Sequence, residues 1–178
     1  MTEVTALRVA QLPQNSPTPF DLQPDRAHLD GLAEALGLLG LRKLRFSGEI
    51  TAQGSRDWLL TGHLGATVVQ PCVVTLEPVT TRIEAPVRRL YLEDWQPPEA
   101  EEAEMPEDDE AEALGTVIDP GAVMAEALAL ALPLYPRKDG VGPGDTAFAA
   151  PGKEPLTDDD VKPFAGLSAL RDKLKKEQ

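Results

Sequence analysis

The sequence predicts an α+β fold: a curled antiparallel sheet, partly barrel-like, packed with two helices and carrying an acidic loop and a C-terminal amphipathic helix. Three observations predict it. From Leu41 to Leu92 apolar and polar side chains alternate over four segments, the period of half-buried strands. On either side, stretches opening at Asp25 and Asp119 place apolar residues at helical spacing behind a capping carboxylate. At 178 residues and 42% hydrophobic content, the chain is able to bury one core.

Taken in order, "TALRVAQL" (residues 5–12) alternates and reads as a strand, and "PQNSPTPF" (13–20), with three prolines, reads as a loop. The first helix follows Asp25 as N-cap, lines up Leu29, Leu32, Ala33 and Leu36, and stops at Gly37. "LRKLRFSGEITAQ" (41–53) sets Leu44, Phe46, Gly48, Ile50 and Ala52 on one face; after the turn "QGSRD", "WLLTGHLGATVVQ" (58–70) continues the period as the second arm of a hairpin. Beyond Pro71, "CVVTLEPV" (72–79) and "TTRIEAPVRRLYL" (80–92) read as further strands, giving four or five in all, with Gly48, Gly62 and Gly65 permitting bends.

The net charge of -13 is concentrated in one place. Residues 93–112 hold 11 of the 30 acidic residues and no Lys or Arg, leaving 19 acids against 17 bases elsewhere. Such a stretch buries too little apolar surface to offset the entropy of ordering, so 93–116 is expected to be a mobile loop. Asp119 then caps, and Pro120 opens, a second helix with Val123, Met124, Ala127, Leu128 and Leu130 inward. The expected organisation is a single domain over 1–136, a Gly- and Pro-rich linker over 137–160, and a helix over 161–178 with Phe164, Leu167, Leu170 and Leu174 on one side.

Composition excludes several functions. One cysteine rules out an internal disulfide framework and a C-x-x-C metal knuckle within this chain. No basic and then apolar leader opens the sequence, and no apolar run reaches the ~20 residues of a membrane helix, so a cytoplasmic protein is expected. The eight aromatic residues offer few rings for stacking single-stranded bases. Glycine-rich "GVGPG" (140–144) is broken by Pro143 and lacks a following helix, so it is not a phosphate loop.

For the lone thiol, Cys72, three roles compete: nucleophile, metal ligand and packing residue. A nucleophile needs a base, and the only histidines, His28 and His63, fall on a helix and on a different strand, with His63 out of phase with the apolar set of its strand. No metal site, cofactor site or small-molecule substrate is expected. The remaining features are surfaces. Arg42, Lys43 and Arg45 open one strand and Arg82, Arg88 and Arg89 lie along the last, a set suited to phosphates or an acidic partner if neighbouring strands merge it.

The order of "WLLTGHLGATVVQPCVVTLEPVTTRIEAPVRRLYL", an acidic insertion, "IDPGAVMAEALALALPLYP" and "KPFAGLSALRDKLK" resembles the YceD family, the large ribosomal RNA subunit accumulation proteins, in its short proteobacterial form, over about residues 40–176. The family's C-x-R-C-L motif corresponds to "CVVTL": Cys72 matches the first cysteine and Leu76 the leucine, Val74 stands at the Arg position and Thr75 replaces the second cysteine. Asp119 and Pro133 match the capped helix and the Leu-Pro that ends it, after which many members carry further cysteines and this chain has none. The resemblance implies a non-enzymatic ribosome-biogenesis factor, an adaptor without cofactor or membrane, whose partner is a ribosomal RNA precursor or a large-subunit assembly or processing protein. Arg42, Lys43, Arg45, Arg82, Arg88, Arg89, Phe164 and Leu167 are the residues expected to meet it. The alternative is a protein-interaction module that captures a basic partner, such as a ribosomal protein, without touching RNA.

Overall fold

The computed structural model describes residues 6–95 and 111–141. In chain order these form β1 (Leu7–Arg8), a 3-10 turn (Val9–Gln11), β2 (Thr18–Leu22), α1 (Arg26–Ala35), β3 (Gly40–Gln53), β4 (Asp57–Pro71), β5 (Pro78–Leu92), β6 (Ala111–Ala113), β7 (Val117–Ile118) and α2 (Pro120–Ala131). The fold is α+β. Strands β2-β3-β4-β5-β6 make one five-stranded sheet and β1-β7 a small second one. The larger sheet is mixed, because β6 runs parallel to β5, and it stays open with β2 and β6 as edges, so the expected partial barrel closure is not seen.

Both capping carboxylates do what their position predicts. Asp25 accepts from the His28 N–H at 2.9 Å, and Asp119 accepts from the N–H groups of Gly121 and Ala122. Each satisfies donors that the first helical turn leaves without partners. Gly37, at φ +64, ends α1 in the left-handed conformation that glycine adopts without steric cost.

The sheet is built around β4, whose even positions Trp58, Leu60, Leu64, Ala66 and Val68 all point to the face covered by the helices. Phe46, Ile50, Ile118, Val123, Met124 and Leu128 complete that core. Each fully buried aliphatic or Phe side chain here is worth ~1.5–3 kcal/mol against exposure. In β3 a register shift between Arg42 and Arg45 inserts an extra residue, with Lys43 at φ +52. That bulge explains how Leu41 and Leu44, three positions apart, both reach the core.

Gly48 and Gly62 are direct cross-strand partners on the covered face. A Cβ on Gly62 would lie 2.7 Å from the Phe46 ring, and one on Gly48 2.9 Å from the Phe20 ring. The two rings pack at 4.9 Å, tilted by 48°, so they occupy the space that the two glycines leave.

Four expectations change. The proline-rich stretch read as a loop contains β2, an edge strand, where proline is tolerated because one row of N–H groups has no ladder partner. "TALRVAQL" yields two strand residues and a 3-10 turn. Residues 72–77, read as part of a strand, are instead the loop closing a long hairpin whose last pair is Pro71 with Pro78. Part of the stretch expected to be acidic loop, Ala111–Ala113, forms β6; residues 96–110 lie outside the described residues. One compact unit runs through Asp139.

Candidate functional site

The helices cover one face of the large sheet and leave the other to solvent. Strand register decides which predicted cations share that open face, because directly paired residues point the same way. Arg42 pairs with Thr67 and Thr67 with Arg82, which sets the two arginines about 10 Å apart across the middle strand. Arg82 also reaches the Lys43 carbonyl at 3.5 Å and Thr67 Oγ1 at 3.4 Å. Cations from two non-adjacent strands therefore meet at one corner of the sheet.

Much of the remaining charge on this face is paired within the protein. Arg82 lies across Gly65, where a side chain would collide with its guanidinium, and forms an ion pair with Glu84. Arg45 binds Asp21 through two hydrogen bonds of 2.9 and 2.8 Å, which hold the Asp21 carboxyl below its ordinary range and the guanidinium above its own. His63 sits on the same face, 3.5 Å from Glu84. Arg88 is in register with Thr61 and Glu49, six residues along β5 from Arg82, or ~20 Å. Arg42 and Lys43 have no ion pair among the described residues, so the uncompensated charge lies at their corner.

Arg89 is placed differently from its neighbour. It points to the covered face, where it binds Glu126 of α2 at 2.8 Å with a side chain only 17% exposed. Burial works against its charge, but the Glu126 carboxylate more than offsets this and raises its proton affinity. Next to it, burial and then Glu112 push the Tyr91 phenol up. Arg89 thus ties α2 to the sheet and is not part of the open-face group. Phe164 and Leu167 lie outside the described residues.

Cys72 is fully buried at the root of the 72–77 loop. The loop is closed by Cys72 N–H to the Glu77 carbonyl and Leu76 N–H to the Cys72 carbonyl, with Leu76 at φ +62. It packs on the segment after α2: Val73 N–H donates to the Pro136 carbonyl, Gln70 Nε2 to the Pro133 carbonyl, and Lys138 pairs with Glu77 at 2.9 Å. The thiol is surrounded by donors. The Thr75 hydroxyl, then the N–H groups of Thr75, Lys138 and Val74, bring its pKa down to about 6 although burial pushes the other way.

The two segments in which the family resemblance expects cysteines therefore lie side by side, with amide and hydroxyl donors around the single sulfur. This set does not fit a metal ion. Among the described residues no group of three His, Cys, Asp or Glu side chains is arranged to hold one, and a single thiolate is too few. A shallow hollow at the β3–β4 turn is lined by Ser55, Arg56, Asp57, Leu92, Glu93 and Asp94. Arg56 spans it to Glu93 at 3.1 Å and Asp94 at 3.7 Å. No helix among the described residues is long and apolar enough to cross a membrane.

One feature of this end of the molecule was missed in the sequence. Val73, Val74 and Leu76 on the loop, and Leu130, Leu134 and Tyr135 at the end of α2 and beyond, are exposed. Leu130, expected to face inward, is exposed because the register of α2 turns Val123, Met124 and Leu128 to the core instead.

Comparison with known proteins gives one result. A family model described as large ribosomal RNA subunit accumulation protein YceD matches residues 60–171, from β4 past α2. The match includes Cys72, Arg82, Arg88 and Asp119, and it begins after Arg42, Lys43 and Arg45. No curated protein and no solved structure matches the chain.

Proposed function

The chain belongs to the YceD family, and from that premise we propose that it is a non-enzymatic factor in the accumulation of large-subunit ribosomal RNA, working as an adaptor that contacts RNA through the open face of its sheet. The family membership supplies the process. The observation that carries the contact is the corner where Arg42 and Lys43, without ion pairs among the described residues, meet Arg82 across Thr67. Arginines set about 10 Å apart by their strands, with Lys43 beside them, suit the phosphates of a nucleic acid backbone.

The same face argues against base reading. Phe20, Phe46, Trp58 and Tyr91 all belong to the covered side, so among the described residues the open strands offer only His63 as a ring. Binding then depends on phosphate charge and on the shape of the RNA, and it weakens steeply with salt.

The test is ultraviolet crosslinking of the full chain to RNA in cells. Large-subunit precursor RNA should be recovered with the wild-type chain, and the double variant Arg42→Glu, Lys43→Glu should lose at least tenfold of that signal while its circular dichroism is unchanged. Recovery of no RNA, with ribosome assembly still dependent on the chain, would replace RNA contact with a purely protein-binding role.

A further inference from the structure

We propose that Glu84 occupies the place of a phosphate on Arg82 and that RNA at the open face displaces it, so that Glu84 sets how much of the basic corner a nucleic acid can use. The inference rests on the RNA contact proposed above and names the residue that limits it. Two edges of the Arg82 guanidinium are engaged. Nη1 donates to the Lys43 carbonyl at 3.5 Å and to Thr67 Oγ1 at 3.4 Å, which fixes the group beside the corner. On the other edge Nε donates to Glu84 Oε1 at 2.7 Å, and Nη2 donates to the same oxygen. That Nε–Nη2 fork is an edge on which an arginine takes a phosphate or carboxylate through two parallel bonds. Here the protein's own carboxylate fills it.

The carboxylate is held loosely enough to leave. Only one of its oxygens meets Arg82, while Oε2 lies 3.5 Å from His63 Nδ1. The two side chains are 46% and 49% exposed, and an ion pair in such a setting favours its bound state by only about fivefold at most. The Arg45–Asp21 pair on the same face differs, because both Asp21 oxygens accept a bond. Between the two pairs β4 carries Gly65, in register with Arg45 and with Glu84. A Cβ there would lie 2.7 Å from Arg82 Nη2 and 3.1 Å from Glu84 Oε2, so the Arg82–Glu84 pair lies across the strand in the space the glycine leaves.

A lone phosphate gains little by exchanging with Glu84. RNA already held at Arg42 and Lys43 brings further phosphates to a fork about 10 Å away and makes the exchange within one complex. Glu84 thereby makes the face favour strands that engage all three cations.

The full chain is titrated, by fluorescence anisotropy, into a labelled 20-nucleotide oligouridylate over a range of salt. Glu84→Gln keeps the shape and removes the charge, and it should raise affinity about threefold or more with circular dichroism unchanged. The slope of log affinity against log salt should steepen by about 0.7, one further phosphate neutralised on a single strand, because in the wild type the displaced carboxylate recovers a cation from solution. Glu49→Gln, which removes the same charge from an exposed position on the same face, should leave the slope unchanged. In an Arg82→Gln background, Glu84→Gln should lose its effect. An unchanged slope with Glu84→Gln, an equal gain from Glu49→Gln, or the same gain without Arg82 would overturn the role of Glu84 and leave the RNA contact standing. No binding by any of these chains, or binding indifferent to Arg42→Glu, Lys43→Glu, would instead remove the RNA contact at this corner, and the inference with it.

Discussion

Cys72 combines complete burial with a ring of hydrogen-bond donors, and the two properties lead to separable behaviour. The donors stabilise the thiolate, while burial keeps reagents away from it. Its folded pKa, about 6, lies below the ordinary thiol value, so the thiolate's contribution to stability is fully present above the unfolded pKa near 8.5 and is lost as pH falls through 6. A titration of thiolate absorbance should show a step close to pH 6 in the folded protein. Alkylation at pH 7 should be slow until denaturant is added. A step near 8.5 in the folded state would show that the donors do not act on the sulfur. The sequence made the cysteine visible and Thr75 conspicuous, but the other donor segment is 66 residues away at Lys138, and no local pattern announces that contact. Likewise Arg88 and Arg89 are adjacent in sequence and face opposite sides of the sheet, a distinction that follows only from strand phase.

At the scale of elements, local chemistry that acts over three or four residues was readable. The caps at Asp25 and Asp119, the stop at Gly37 and the β3–β4 hairpin all rest on such short-range rules. The elements that sequence reading missed depend on distant partners. β2 contains Pro19 and exists because β3 offers a free edge, and β6 is a three-residue parallel strand that needs the end of β5 beside it. The 72–77 loop was misread because "CVVTL" has strand composition, although a hairpin whose arms are paired from Trp58–Tyr91 to Pro71–Pro78 must turn there. Glycines in β3 and β4 were expected to permit bends, and Gly62 in addition leaves the space that the Phe46 ring fills. Gly62→Ala places a methyl group against that ring and should cost ~1–3 kcal/mol in chemical denaturation. An unchanged midpoint would mean that the Phe46 ring moves aside without cost.

For the whole molecule, the proposed contact at the open sheet face is electrostatic, and salt therefore tests it. RNA held at the Arg42–Lys43–Arg82 corner should dissociate as ionic strength rises. The most direct measurement is the ribosome sedimentation profile of cells lacking the gene, complemented with either the wild-type chain or the Arg42→Glu, Lys43→Glu variant. Loss of the chain should reduce large-subunit RNA and free large subunits. The wild type should restore them, and the variant, present at equal level, should not. A profile unchanged by the deletion would contradict a role in large-subunit RNA accumulation, and full rescue by the variant would contradict the assignment of the open sheet face to that role.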